Sequence, residues 1–154
     1  FELILFESND SPDVFVSDSG TQPGLEAMKD HEAVRVLTEQ NLIDADWTNR
    51  TLVFDESVYA EQVSEEPLFT VSRVFVLVFD GQPLIGGMVI NPYFAALVET
   101  PVLRPNTYQH DNGLVVTLEQ NNAGRSGYPV ELPALSNEVN TDIQDYLDHV
   151  LRSP

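Results

Sequence analysis

The sequence predicts an α+β fold: a single acidic domain over residues 1–154, built on a mainly antiparallel sheet of about five to seven strands. A C-terminal amphipathic helix and one further helical segment are expected to pack on that sheet. Three observations carry this reading. Two apolar runs, Val71–Phe79 and Gln82–Ile90, flank Asp80-Gly81. That dipeptide is the favoured pair for a two-residue hairpin turn, because both central positions need positive φ. Leu135, Val139, Ile143, Tyr146, Leu147, Val150 and Leu151 recur at intervals of 4, 4, 3, 1, 3 and 1, the signature of one apolar helix face. Finally, 154 residues with 42% apolar content and 9% aromatics can enclose a core, whereas a disordered acidic tail lacks the apolar residues to offset chain entropy.

Taken in chain order, Glu2–Phe6 and Asp13–Ser17 read as short strands joined by the turn-rich Ser8–Pro12. Pro23–Gln40 reads as the further helix, broken near Asp30, which could cap a second segment carrying Ala33, Val34 and Leu37, with Asn41 as its stop. Thr51–Asp55 and Ser57–Val63 are expected strands, followed by the acidic loop Ser64–Pro67. In the main hairpin, counting from the turn pairs Phe79 with Gln82, Leu77 with Leu84 and Phe75 with Gly86, so that Phe75 covers bare glycine backbone. Val74, Val76 and Val78 then occupy the opposite face from Phe75, Leu77 and Phe79, and both faces require cover. Pro83 has no N–H to give, so the Gln82 end of its strand should lack an outer neighbour or bulge away from it. Tyr93–Glu99, bounded by Pro92 and Pro101, fits a short helix or a strand equally well. Leu114–Gln120 reads as a strand behind Asn112-Gly113, and a loop over Asn121–Pro129 leads to the last helix, with Pro133 near its start.

Composition narrows the function classes. The chain carries 25 Asp+Glu against 7 Lys+Arg, a net charge of −18, with Lys29 its single lysine and six arginines spread singly. No basic stripe exists to neutralise phosphates, so neither nucleic acid nor an anionic membrane is expected as a partner. No apolar run approaches the roughly 18 residues of a membrane span. The absence of cysteine removes disulfides, thiol catalysis and Cys-ligated metal. Beginning with Phe1 instead of Met, the chain reads as a processed mature protein or one cut behind a signal or anchor, so a periplasmic, secreted or surface-anchored location, including that of a lipoprotein, is expected.

None of the motifs assembles a reaction centre. His31-Glu32 starts like a zinc-protease helix, but Arg35 stands where the second imidazole belongs. His110-Asp111 are sequence neighbours, which rarely share the geometry of a base and its orienter, and His149 suits a helix C-terminus. Gly124-Arg-Ser-Gly127 is one residue short of a nucleophile elbow. Asn9, Asp10, Asp13 and Asp18 offer oxygens without the spacing of a calcium loop. Asn9-Asp-Ser11 and Asn49-Arg-Thr51 have glycosylation spacing. Trp47, Tyr59, Tyr93, Tyr108 and Tyr128 suit either a binding surface or the edge of a core. Arg73 is the oddest residue, a charge inside the main hydrophobic strand on the side of Phe75 and Leu77, where it either sits at the strand's exposed end or pairs with a buried carboxylate in a pocket.

No catalytic residue, cofactor or metal is therefore assigned. The leading expectation is a non-enzymatic domain with a binding or structural role toward a protein or small-molecule partner. The alternatives are a small carboxylate-based enzyme with Arg73 holding an anionic group, and a module that self-associates as a homodimer through the doubly apolar hairpin. One physical consequence holds for all three. Exposed carboxylates repel one another, and salt screens that repulsion over a Debye length near 10 Å at ~0.1 M, so the thermal midpoint should rise from low salt to about molar NaCl. A flat or falling curve would mean that the carboxylates are already neutralised locally.

Overall fold

A computed structural model describes residues 1–7, 31–91, 100–110, 113–120 and 132–152, with the backbone alone for 107–110. The strands are β1 (Glu2–Phe6), β2 (Ala33–Thr38), β3 (Leu42–Asp46), β4 (Thr51–Phe54), β5 (Val74–Phe79), β6 (Gln82–Val89), β7 (Val102–His110) and β8 (Gly113–Glu119). The helices are α1 (Glu56–Gln62) and α2 (Asn137–Arg152). All eight strands form one sheet in the order β2-β1-β5-β6-β7-β8-β4-β3. The fold is thus α+β and mainly sheet, but eight strands replace the expected five to seven. The sheet is also mixed instead of antiparallel, because β6 and β7 pair in parallel, Met88 with Val102 and Val89 with Leu103.

The Asp80-Gly81 hairpin forms as its residues dictate, with φ of 48° and 71° at the two turn positions. Phe79 pairs with Gln82 and Val78 with Pro83, after which the register slips: Leu77 faces Ile85, Val76 faces Gly86 and Phe75 faces Gly87. Leu84 is the extra residue of this β-bulge, so the expected pairs beyond Pro83 are each displaced by one, and Phe75 covers Gly87 in place of Gly86. Among the described residues β7 pairs only the Met88–Val89 end of β6, leaving the Gln82 end without an outer neighbour, as the missing proline N–H predicts.

Two expected elements change type. Ala33–Thr38 is strand, not the second half of a helix: Leu37 is buried while Val34 and Val36 are exposed, a period of two that β-branched residues favour. Ser57–Val63 is largely helix α1 instead of strand. The Asp55 carboxylate accepts hydrogen bonds from the backbone N–H groups of Ser57 (2.9 Å) and Val58 (3.0 Å), which caps the helix, and Val58 and Gln62 form its buried side. Partial burial works to raise the Asp55 pKa, but the hydrogen bonds from Ser57 and Val58 outweigh it and hold the carboxyl below its ordinary value. A carboxyl lowered by folding stabilises the fold above its unfolded-state pKa, and that contribution is lost as pH falls through the folded value. Asp55→Ala should therefore cost about 1 kcal/mol near neutral pH, with the gap to the parent closing under acid. Urea midpoints across pH measure this, and a gap that stays constant would contradict it.

The sheet cannot be flat. Its two outermost strands, β2 and β3, are consecutive in the chain and separated only by the 3₁₀ turn Glu39–Asn41. Four residue steps reach at most roughly 14 Å, whereas eight flat strands would hold their edges about 34 Å apart. The sheet therefore rolls until its edges meet at this corner. Thr38 N–H donates to Asn41 Oδ1 (3.0 Å) and Asp55 N–H to Asn41 O (2.9 Å), fixing the corner to the end of β4.

Inside the roll lies a continuous core of Leu3, Leu5, Leu37, Phe54, Phe75, Leu77, Val89, Leu103 and Val116, closed by Val58 of α1 and by Ile143 and Leu147 of α2. The expected stripe of the C-terminal helix is the packed one. Ser136, three residues beyond Pro133, caps this helix, its Oγ accepting from Val139 N–H (3.2 Å). Phe79 meets Tyr146 edge-on at 5.5 Å. On the other side of the sheet Phe6, Val74, Val76 and Val78 form a second buried cluster with Ile4, and Met88, Ile90 and Val102 a third. Both hairpin faces are thus covered within one chain. No described helix is long and apolar enough to cross a membrane. Asp13–Ser17, the first part of the Pro23–Gln40 helix, Tyr93–Glu99 and the Asn121–Pro129 loop lie outside the described residues.

Candidate functional site

The charged residues sort themselves by partner. Five arginines lie among the described residues, and four face a carboxylate: Arg35 with Glu61 at 2.9 Å, Arg73 with Glu7 at 2.5 Å, Arg104 with Glu119 at 2.7 Å and Arg152 with Asp148 at 3.0 Å. Arg50 is the exception, and it is also the most buried of the five, at 5% exposure.

Arg50 closes the β3–β4 turn. Asp46 accepts from the backbone N–H (3.1 Å) and the side-chain amide (2.6 Å) of Asn49, so the residues between the strands wind into a tight loop. The chain must then return to β4, and Arg50 does this with φ of 53°, in the left-handed region that glycine or asparagine usually fills. Its backbone N–H donates to Trp47 O (3.1 Å) and its carbonyl accepts from Leu118 N–H (2.9 Å). The guanidinium folds back over the Trp47 ring at 4.4 Å, where the π face attracts a cation. One terminal nitrogen donates to Trp47 O (2.6 Å) and the other to Asn140 Oδ1 (2.7 Å), while Nε is buried with no hydrogen-bond partner. Burial lowers the pKa of this guanidinium from its ordinary value, because desolvation penalises the charged form.

Asn140 belongs to the first turns of α2, and its Oδ1 also accepts from Trp47 Nε1 (3.2 Å). This amide therefore ties the helix to the turn. Between them opens a cleft of about 400 Å³, lined by Trp47, Thr48, Arg50, Leu132, Asn140, Thr141, Gln144 and Asp145. Its lining holds one cation, Arg50, one carboxylate, Asp145, and the neutral hydroxyl and amide groups of Thr48, Thr141, Asn140 and Gln144, with the exposed Leu132 as its apolar part.

The residues singled out from sequence are distributed differently. Arg73 lies just ahead of β5 and not within it; besides Glu7, its guanidinium is held by the carbonyl oxygens of Leu68 and Pro67. Arg73 and Glu7 line an open cleft, and Arg35, paired with Glu61, lines the same one. His31 and Arg35 do not lie on a common helix, since Arg35 is in β2. His149 lies in the last turn of α2. Asn49 serves the turn, and Trp47 is buried instead of presenting its ring to solvent. Tyr59 packs on the core. Asn9, Asp10, Asp13, Asp18, Tyr93, Gly124–Gly127 and Tyr128, and the side chains of Tyr108 and His110, lie outside the described residues. No group of three or more metal-ligating side chains occurs among the described residues. Sequence reasoning passed over Arg50 except as the middle of a sequon. The one local signal was Asp46-Trp-Thr-Asn-Arg50, in which Asp and Asn at that spacing mark a turn.

No known protein family, curated protein or solved structure matches this chain.

Proposed function

We propose that the chain is a non-enzymatic binding domain whose recognition site is the cleft between α2 and the β3–β4 turn. The observation that carries this reading is Arg50: a buried cation with no carboxylate partner among the described residues, held in a strained backbone conformation at the base of a cleft. Backbone strain and an uncompensated charge both cost stability, and residues of this kind concentrate where a protein binds or acts. The acidic groups with displaced pKa values point away from catalysis, because each has a folding role. Asp55 caps α1, Asp46 is lowered first by the side chain and then by the backbone of Asn49 in the turn it closes, and Glu39 is lowered chiefly by its own backbone N–H at the corner between the sheet edges. Arg73 lends the carboxylate-enzyme alternative little support, since Glu7 and two carbonyls already occupy it.

The test is a screen of small polar fragments by ¹H–¹⁵N spectroscopy, with the Trp47 indole N–H and the amides of Thr48, Thr141 and Gln144 as reporters. Hits should move these signals together, and Thr141→Tyr, which fills the cleft from an exposed helical position, should abolish the response without lowering the thermal midpoint. Fragments that perturb only other parts of the surface would overturn the reading.

A further inference from the structure

We infer that the ligand of this cleft carries a carboxylate, which completes the coordination of the Arg50 guanidinium; the inference rests on the cleft being the binding site. A guanidinium has five N–H donors in one plane. Here two are directed at Trp47 O and Asn140 Oδ1; Nε–H is buried without an acceptor, as it also is in Arg35, Arg73 and Arg104, so what sets Arg50 apart is that its acceptors carry no charge. Both acceptors are neutral, so the unit charge is unmatched in a region from which most water is excluded. The contrast within the molecule is informative. Each of the other four described arginines has drawn a carboxylate, yet among the described residues none reaches Arg50. Arg35 and Arg73 also line a cleft and are matched there by Glu61 and Glu7, so a cleft position does not by itself keep a carboxylate away; among the described arginines only Arg50 lacks one.

The walls narrow the class of anion. Thr48, Thr141 and Gln144 can hydrogen-bond a bound oxygen, and the exposed Leu132 at the rim suits a short aliphatic body behind the charged head. Asp145 stands on the same rim, and the whole chain carries −18, so each further negative charge on a ligand meets repulsion. A monocarboxylate satisfies the guanidinium with the least such cost. A phosphate dianion would bring twice the charge into the same field. Planar carboxylate oxygens also match the fork of N–H donors, an arrangement stronger than hydrogen bonds between neutral groups.

The experiment uses three probes on the wild-type protein at constant ionic strength: sodium propionate, propionamide and inorganic phosphate. Propionamide has the shape of propionate without its charge. The readout is the shift of the Arg50 Nε–H and Trp47 Nε1–H signals. Propionate should give saturable shifts of both, with an affinity at least about tenfold above that of propionamide and of phosphate, since a charge-assisted hydrogen bond is roughly twice as strong as a neutral one. Arg50→Met should remove the propionate response; the three-probe comparison on the parent stands whether or not that variant folds. Propionamide binding as tightly as propionate would overturn the carboxylate assignment while leaving the cleft as the binding site. Tighter binding of phosphate would overturn it in favour of a more highly charged anion. No saturable response to any of the three would overturn both the assignment and the binding site.

Discussion

Gly87→Ala is expected to destabilise the protein by about 3 kcal/mol or more, an effect at the upper end for one added methyl group. A Cβ at this position would stand 1.8 Å from the Pro101 carbonyl oxygen and 2.7 Å from its carbon, with the Phe75 ring at 3.1 Å. These first two are backbone atoms, so relief requires the strands to move. The same oxygen accepts the Met88 N–H at 3.1 Å, one of the few bonds across the β6–β7 seam. Among the described residues that seam is the only strand pairing between the two halves of the sheet, β2-β1-β5-β6 and β7-β8-β4-β3, and it consists of two residue pairs. Prying it open exposes core on both sides. Gly81→Ala is the control: nothing lies within 4 Å, and only the cost of a positive φ remains, about 1 kcal/mol. Urea denaturation compares the two, and an unchanged midpoint for Gly87→Ala would show that β6 and β7 do not approach this closely.

Val76→Asp should unfold the chain outright. Val76 is fully buried on the outer side of the sheet between Val74 and Val78, and a carboxylate there has neither water nor a partner. The expected loss exceeds about 4 kcal/mol, a large share of the stability of an ordinary domain. Across Ile4, which pairs with both residues, Val36 points the same way from the outermost strand and is 39% exposed. Val36→Asp should shift stability by less than about 0.5 kcal/mol. Circular dichroism and light scattering on the pair separate two accounts of the valine face. Unfolding of Val76→Asp alone fits a face covered within one chain. A folded Val76→Asp protein of altered association state would instead make that face a surface between copies.

How much of this was readable in the sequence depends on whether the deciding forces were local. The Asp80-Gly81 turn and the Leu135–Leu151 stripe were legible because a dipeptide and a periodic pattern encode them directly. The two apolar faces of β5 were legible for the same reason. The register beyond Pro83 was not, since nothing in the local pattern of Gln82–Ile90 marks Leu84 as the extra residue of a bulge. Ala33–Thr38 and Ser57–Val63 exchanged types because short apolar patterns serve helix and strand alike; an edge position decided the first and the Asp55 cap the second. β3 and β7 went unseen. Asp44 and Asp46 disguise β3, and Pro105 demotes β7, yet at Pro105 the pairing with β6 has already ended, so its missing N–H costs no ladder bond. The site was the least legible part. Nothing in Trp-Thr-Asn-Arg distinguishes a buried arginine from a solvated one, and the absence of a carboxylate is visible only once the other arginines have found theirs.

The central claim is that Arg50 is retained for a ligand and not for the fold, and Arg50→Met tests it most directly. Methionine keeps an unbranched chain about as long as the arginine stem to Nε and removes the charged group, and both acceptors stay satisfied. Trp47 O keeps the backbone N–H of residue 50, and Asn140 Oδ1 keeps Trp47 Nε1–H. Replacing a desolvated, unmatched charge by an apolar chain of similar volume should leave the urea-derived stability within about 1 kcal/mol of the parent, or raise it. A loss of about 3 kcal/mol or more would contradict the claim and make the guanidinium a structural bolt between α2 and the β3–β4 turn.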